Sequence, residues 1–271
     1  MLRFEPGLYR GTAGYYDRFR LAYPAAMIAD LARRAAPSGR GRLLDLAGGT
    51  GQLAFPLRGW FAEVWSVDAE ADMTEVVRAK AIAAGATRLR AITATAEDLH
   101  AEPGSFELIV IGNAFHRLRR AVVAERAHGW LKPGGCLALC WSTSPWVGPE
   151  DWQRALGSLL RRWQNELGAS GRVPPGWEQE RQRDPDHDVL SRAGFEPAGR
   201  HDFPVEQRWT IDELAGYIRS TSFLPPMVLA DRAAEFDADL AAELSRHTAD
   251  GRLTETVHFA YELARRSAGL D

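Results

Sequence analysis

Nine residues constrain the fold more than any others: Leu43-Leu44-Asp45-Leu46-Ala47-Gly48-Gly49-Thr50-Gly51. A short apolar run with one acid breaks into three glycines within four residues, and a helical segment, Gln52 to Trp60, follows without a gap. Strand, glycine loop and helix in that order turn backbone N–H groups and a helix N-terminus toward a polar ligand. Glycine there permits positive φ and, lacking a Cβ, lets the chain come within contact distance of that ligand. Gly49-x-Gly51-x-x-Ala54 also satisfies the dinucleotide fingerprint, so the spacing alone leaves a nicotinamide cofactor open.

The flanking sequence supplies a scaffold for this loop. Strands over 42–46, 62–67, 89–93, 106–111 and 136–141 alternate with helices over 25–36, 52–59, 72–84 and 120–130. That alternation predicts right-handed βαβ units and an α/β, Rossmann-like, doubly wound sheet. Residues 131–135 read as a turn by composition. After Trp141 the rhythm changes. A helix over 152–167 gives way to 168–186, a stretch of Gly, Pro and charge that reads as a loop or flap. A short helix over 189–193 leads to a strand over 198–209. Thr210 then resembles a helix N-cap, with helices over 213–222 and 226–246 before a last strand at 252–264. The expectation is a mostly parallel seven-stranded sheet with helical lid insertions after strands five and six. The divisions are 1–142 for the N-terminal arm and cofactor core, 143–187 for the first insertion, 188–209 for the return to the sheet, 210–250 for the second insertion, and 251–271 for the last strand.

Composition excludes several classes. The net charge of −3 comes without a basic, aromatic-laced stripe, which argues against nucleic acid. No apolar run approaches the ~20 residues of a membrane span, and the N-terminus lacks a signal-peptide pattern, so the expected location is cytoplasmic. Cys136 and Cys140 stand four apart on a predicted strand. At ~3.3 Å per residue they are roughly 13 Å apart, beyond disulfide reach, and with no histidine nearby they suggest no metal site.

From about residue 15 to 141 the chain resembles the class I S-adenosylmethionine (SAM)-dependent methyltransferases that act on small molecules. The likeness rests on Tyr16, Arg20, Tyr23 and Pro24, on the Asp45–Gly51 motif, and on Ala114-Phe115-His116 after strand four. Within that group it is similar to enzymes of actinomycete natural-product clusters, including the gentamicin-type aminoglycoside N-methyltransferases. The resemblance implies SAM as cofactor and S-adenosylhomocysteine (SAH) as product. Asp45 favours SAM over a dinucleotide, because a carboxylate suits the cationic methionine tail and repels a pyrophosphate. Asp68, next to Ala69, stands where such sheets bind the ribose hydroxyls; otherwise it is a helix N-cap. Ala96, Glu97 and Asp98 resemble the adenine-bordering segment, or are first-turn acids opposing a helix dipole. Tyr16 and Arg20 resemble the pair that holds the methionine carboxylate. Ala47, Gly48, Gly49, Gly51, Asn113, Ala114 and Phe115 complete the implied cofactor set. The pattern departs from the family at Ala47, whose Cβ predicts a negative φ with the flexibility shifted to Gly48, and at Arg117, where a tryptophan is common.

Methyl transfer needs mainly that donor and acceptor be held at attack distance. A hydroxyl acceptor also needs a base, and His116 is the candidate. Trp141, Trp146 and Trp152, from a cluster that includes Trp163 and Trp177, are the candidate substrate wall. The second insertion carries Asp212, Glu213, Asp231, Glu235, Asp237, Asp239, Glu243 and Asp250, and such an acidic lid favours a cationic acceptor such as an amino sugar. The expected activity is therefore N-methylation of an amino sugar by a monomer or homodimer, with O-methylation of a hydroxylated small molecule as the alternative. An NAD(P)-dependent oxidoreductase and a SAM-binding regulator without turnover stand behind these.

Overall fold

The computed structural model describes residues 7–172 and 176–268. Helices α1 (Ala13–Phe19) and α2 (Ala25–Ala35) precede β1 (Arg42–Leu46) and the short α3 (Ala54–Leu57). β2 (Glu63–Asp68), α4 (Ala71–Ala83), β3 (Leu89–Thr93), β4 (Phe106–Gly112), α5 (Arg120–Trp130) and β5 (Leu131–Ser142) follow. Then come α6 (Asp151–Glu166), α7 (Trp177–Arg183), α8 (Asp186–Arg192) and β6 (Phe195–Trp209). The chain continues through α9 (Ile211–Arg219), α10 (Pro226–Leu229), α11 (Ala233–Leu244) and β7 (Leu253–Arg266).

The seven strands form one sheet in the order β3-β2-β1-β4-β5-β7-β6. Six run in one direction, and β7 lies antiparallel between β5 and β6. β1 lies in the interior of the sheet beside the central β4, and Leu43, Leu44 and Leu46 are fully buried there because helices cover both faces of a parallel sheet. Period-two alternation sends Leu43 and Leu108 to one face and Leu44 and Ile109 to the other. Strand order turns back between β1 and β4, so the crevice beyond their C-terminal ends is where a sheet of this kind binds its ligand. A third apolar cluster joins α6, α9 and α11 through Trp152, Trp163, Leu214, Phe236 and Leu240.

The expected mostly parallel seven-stranded sheet is present, but local expectations differ in four places. Residues 168–186, read as a loop, contain α7 and the start of α8. Arg120 and Arg181 both bond Asp186, which ties α7 and the start of α8 to α5. The turn read at 131–135 is an irregularity within β5: Phe106 pairs with Leu131, and the next partners are Leu108 and Cys136. Gly134, at φ 77°, accommodates it. The helix predicted over 226–246 is broken at Ala230, whose φ is 45°. The N-terminal arm contains α1, which the sequence did not announce. Cys136 and Cys140 are buried and unpaired on β5, as expected. Among the described residues no helix is long and apolar enough to cross a membrane.

Candidate functional site

β1 delivers the chain into a loop with φ of 54° at Ala47, 55° at Gly49 and 82° at Gly51. The expectation of a negative φ at Ala47 is thus wrong. Backbone pairing sets the turn: Gly48 N donates to Val67 O at 2.9 Å and Gly51 N donates to Gly48 O at 2.9 Å. Left-handed geometry costs an L-residue about 1–2 kcal/mol, and the pairing around the turn offsets it at Ala47. Gly48 contributes close approach, not flexibility. A Cβ on it would lie 2.7 Å from the Asp45 Cγ.

Asp45 is 1% exposed. Its Oδ2 accepts from Ala54 N at 2.9 Å, fixing the start of α3. Its Oδ1 is buried without a hydrogen-bond partner among the described residues. Burial pushes its carboxyl up to about 7, against a smaller opposing effect of the Ala54 bond. An orphaned, buried carboxylate oxygen costs stability and is satisfied by a cationic donor.

Asp68 holds the other side of the loop. Its Oδ2 accepts from Gly49 N at 2.8 Å and its Oδ1 from Glu70 N at 3.0 Å. Burial raises its pKa. The N-cap of α4 is Glu70, so Asp68 is not the helix N-cap that was its alternative role. A carboxylate offers about four lone-pair sites, and the backbone N–H groups of Gly49, Glu70 and Ala69 leave capacity for a ligand. Ala69 lies between the two. Ala96 is buried, while Glu97 and Asp98 occupy a turn and not the first turn of a helix. Glu97 accepts from Arg119 N at 2.8 Å, bracing the start of α5, and Asp98 bonds Thr95.

α1 brings Tyr16 and Arg20 over the loop. A Cβ on Gly49 would lie 3.2 Å from the Tyr16 ring. Burial pushes the Tyr16 hydroxyl up to about 12. The Arg20 guanidinium lies 4.9 Å from the Tyr16 ring centre and 4.7 Å from that of Tyr217. It donates to Ser220 Oγ at 2.9 Å, Ser220 O at 3.2 Å and Tyr217 Oη at 3.3 Å. These bonds engage three of its five N–H groups. Sequence reasoning paired Tyr16 with Arg20 but missed Tyr217 and Ser220. They lie 197 and 200 positions away, and no local pattern signals such a partner.

At the end of β4, Asn113 adopts φ 52°. Its N donates to Cys140 O at 2.8 Å and its Oδ1 accepts from Ser142 N at 3.2 Å, so it joins the ends of β4 and β5. A cavity of about 740 Å³ opens there. Its walls include Tyr16, Arg20, Asn113, Ala114, Phe115 and His116, together with Trp141, Trp146, Tyr217 and Phe223. The glycine loop, Asp45, Asp68 and 96–98 lie outside this cavity, and Tyr16 belongs to both places. Trp152 is not on the wall. It is buried in the helical core, its indole donating to Thr254 O at 3.3 Å. Trp163 is buried there too, and the side chain of Trp177 lies outside the described residues.

Burial, reinforced by Arg117, Arg181 and Arg120, presses the His116 imidazole down to about 3. It is neutral at physiological pH, and so weak a base is poorly matched to general-base work. Among the described residues, the acidic side chains of the second insertion do not line the cavity. Glu235 pairs with Arg232, Asp239 with Arg162 and Glu243 with Arg246, while Glu213 closes a capping box on Thr210. The premise of an acidic lid therefore fails, because those charges serve a solvated helix surface.

Residues 43–135 match the family described as "Methyltransferase domain". An uncharacterized methyltransferase of Mycobacterium tuberculosis is 32% identical over 162 residues, covering 59% of this chain and 62% of that protein. The chain thus spans under two thirds of the length of that curated relative. A ubiquinone/menaquinone biosynthesis C-methyltransferase of Coxiella burnetii is 36% identical over 113 residues, 40% of this chain and 45% of that protein. A solved structure described as a proposed type II methyltransferase from Anaeromyxobacter dehalogenans superposes with a TM-score of 0.64 at 20% identity, covering 92% of this chain and 98% of the other. A geranyl diphosphate C-methyltransferase from Streptomyces coelicolor, solved with SAH, superposes with a TM-score of 0.50 at 12% identity, covering 89% and 76%. These two likenesses concern the fold.

Proposed function

We propose that this chain, which carries a class I SAM-dependent methyltransferase domain, methylates a small molecule held in the cavity beside Tyr16 and Arg20. One observation carries the reading: the Asp45–Gly48–Gly49–Asp68 cradle, with its orphaned carboxylate oxygen, meets a substrate-sized cavity at a shared aromatic wall. The residues fit SAM. Asp68 would take the ribose hydroxyls, Asp45 Oδ1 the ammonium, the remaining Arg20 donors the carboxylate, and the Ala96–Asp98 turn the adenine. Bound there, SAM supplies an electrophilic methyl on a sulfonium. The chain itself contributes position and exclusion of water. In this reading the insertions at 143–187 and 210–250 act as a lid, supported by Leu160, Tyr217 and Phe223 on the cavity wall.

The amino-sugar reading drew on the acidic second insertion, whose carboxylates face elsewhere. We therefore favour a hydroxylated acceptor over an aminoglycoside. His116 then receives a hydrogen bond from the acceptor and does not retain its proton. Mass spectrometry of the protein with SAM and two acceptor sets tests this. Methyl on oxygen or carbon of a hydroxylated aromatic or polyketide is the expected product. Methyl on an aminoglycoside nitrogen restores the first acceptor, and tighter binding of NADH than of SAH overturns the class.

Asp45 gives a pH signature. With its carboxyl at about 7, it is mostly protonated at pH 6 and mostly ionised at pH 8. A ligand ammonium selects the ionised form, so SAH affinity should rise about tenfold over that interval. Titration calorimetry measures it. A flat profile, or the same slope in Asp45→Asn, removes Asp45 from the ammonium site.

A further inference from the structure

The cavity wall is unevenly charged. Its described residues include four guanidiniums, Arg20, Arg117, Arg161 and Arg181, against two carboxylates, Glu178 and Asp186. Asp186 is itself 7% exposed and already engaged twice. Its Oδ1 accepts from Arg120 at 2.9 Å and its Oδ2 from Arg181 Nε at 2.8 Å. One buried carboxylate therefore anchors two guanidiniums and holds that of Arg181 at the cavity. Arg117 is positioned differently: it donates to Ser222 Oγ at 3.1 Å and lies 5.1 Å from the Tyr9 ring centre. His116 stands among Arg117, Arg120 and Arg181 and records their field, since all three favour its neutral form.

Guanidiniums held this way suit a planar or tetrahedral oxyanion, because the fork bonds two of its oxygens at once. A concave site with an excess of one sign of charge also concentrates ligands of the other sign. We propose that the acceptor carries a carboxylate or phosphate group that seats at the His116 end of the cavity against Arg117 and Arg181, with Arg161 extending the cationic wall. This rests on the methyltransferase reading of the same site and adds the substrate's charge to it.

Four matched probes test the proposal by titration into SAH-loaded protein: 4-hydroxybenzoate, 4-hydroxyphenyl phosphate, methyl 4-hydroxybenzoate and tyramine. At least one of the two anions should bind tenfold or more tighter than the ester, and tyramine should bind least. Which anion wins separates a carboxylate from a phosphate substrate. Arg181→Gln and Arg161→Gln should each weaken the preferred anion several-fold and leave the ester unchanged. Arg161 is exposed, so its variant remains informative if loss of the Asp186 contact unfolds the other. Normal SAH binding with no anion preference, including no binding of either anion, overturns the anion site alone. Failure of the unmodified protein to bind SAH overturns the methyltransferase reading and this one with it.

Discussion

Asp68→Ala should lose SAH affinity by a factor on the order of 100, equivalent to about 3 kcal/mol. Two effects combine. The carboxylate is the acceptor proposed for the ribose hydroxyls, and it also holds Gly49 N at 2.8 Å and Glu70 N at 3.0 Å. Without it the loop amide beneath Tyr16 loses its partner and the peptide geometry around Gly49 relaxes. Asp68→Asn separates the two contributions. Its remaining carbonyl oxygen accepts one loop bond but cannot accept the full set. The intermediate loss expected for Asn, read by calorimetry beside Ala, apportions loop support from ligand contact. Wild-type affinity in the Ala variant would take Asp68 out of the site.

Gly48→Ala should be nearly as damaging, for a steric reason. The added Cβ meets the Asp45 Cγ and Oδ2, each 2.7 Å away. That carboxylate cannot swing aside, because it is buried and bonded to Ala54 N. Overpacking of this kind costs about 2–3 kcal/mol, or roughly 5–10 °C in Tm for a chain of this size. SAH binding should weaken with it, since the displaced groups are the cradle itself. Gly129→Ala is the control: a Cβ there meets nothing within 4 Å, and the position lies within α5. It should match or exceed the parent Tm. A Gly48→Ala protein with unchanged melting would show that the loop has room the structure does not.

Much of this was readable in the chain because the central strands are buried on both sides. Leu43 to Leu46 and Phe106 to Ile111 announce themselves as apolar runs, each interrupted by a single acid, Asp45 or Glu107. The glycine loop was legible through its composition, but the conformation of each residue was not. Ala47 takes a positive φ because hydrogen bonds from Gly48 and Gly51 close the turn around it, and no propensity encodes that. Charge was read least well. Glu235, Asp239 and Glu243 are acidic in any fold, and only packing decides that arginines on the same surface take them. The cationic wall escaped notice for the same reason. Arg117, Arg161 and Arg181 come from three separate segments and meet only around the cavity.

Because β7 is made last yet lies inside the sheet, synthesis leaves β6 waiting. β6 pairs with β7 along nearly its whole length, from Phe195 to Trp209, and with no other strand among the described residues. The chain makes β6 first and then α9, α10 and α11 before β7 is available. Until β7 arrives, the nascent protein presents an open edge on β5 and an unpartnered strand in β6. Exposed edges of this kind invite pairing between chains. β6 carries its own protection: Pro197 and Pro204 interrupt the donor row, and Glu196, Arg200, Asp202, Glu206 and Arg208 all face solvent. A strand so poor in apolar side chains waits safely for its partner.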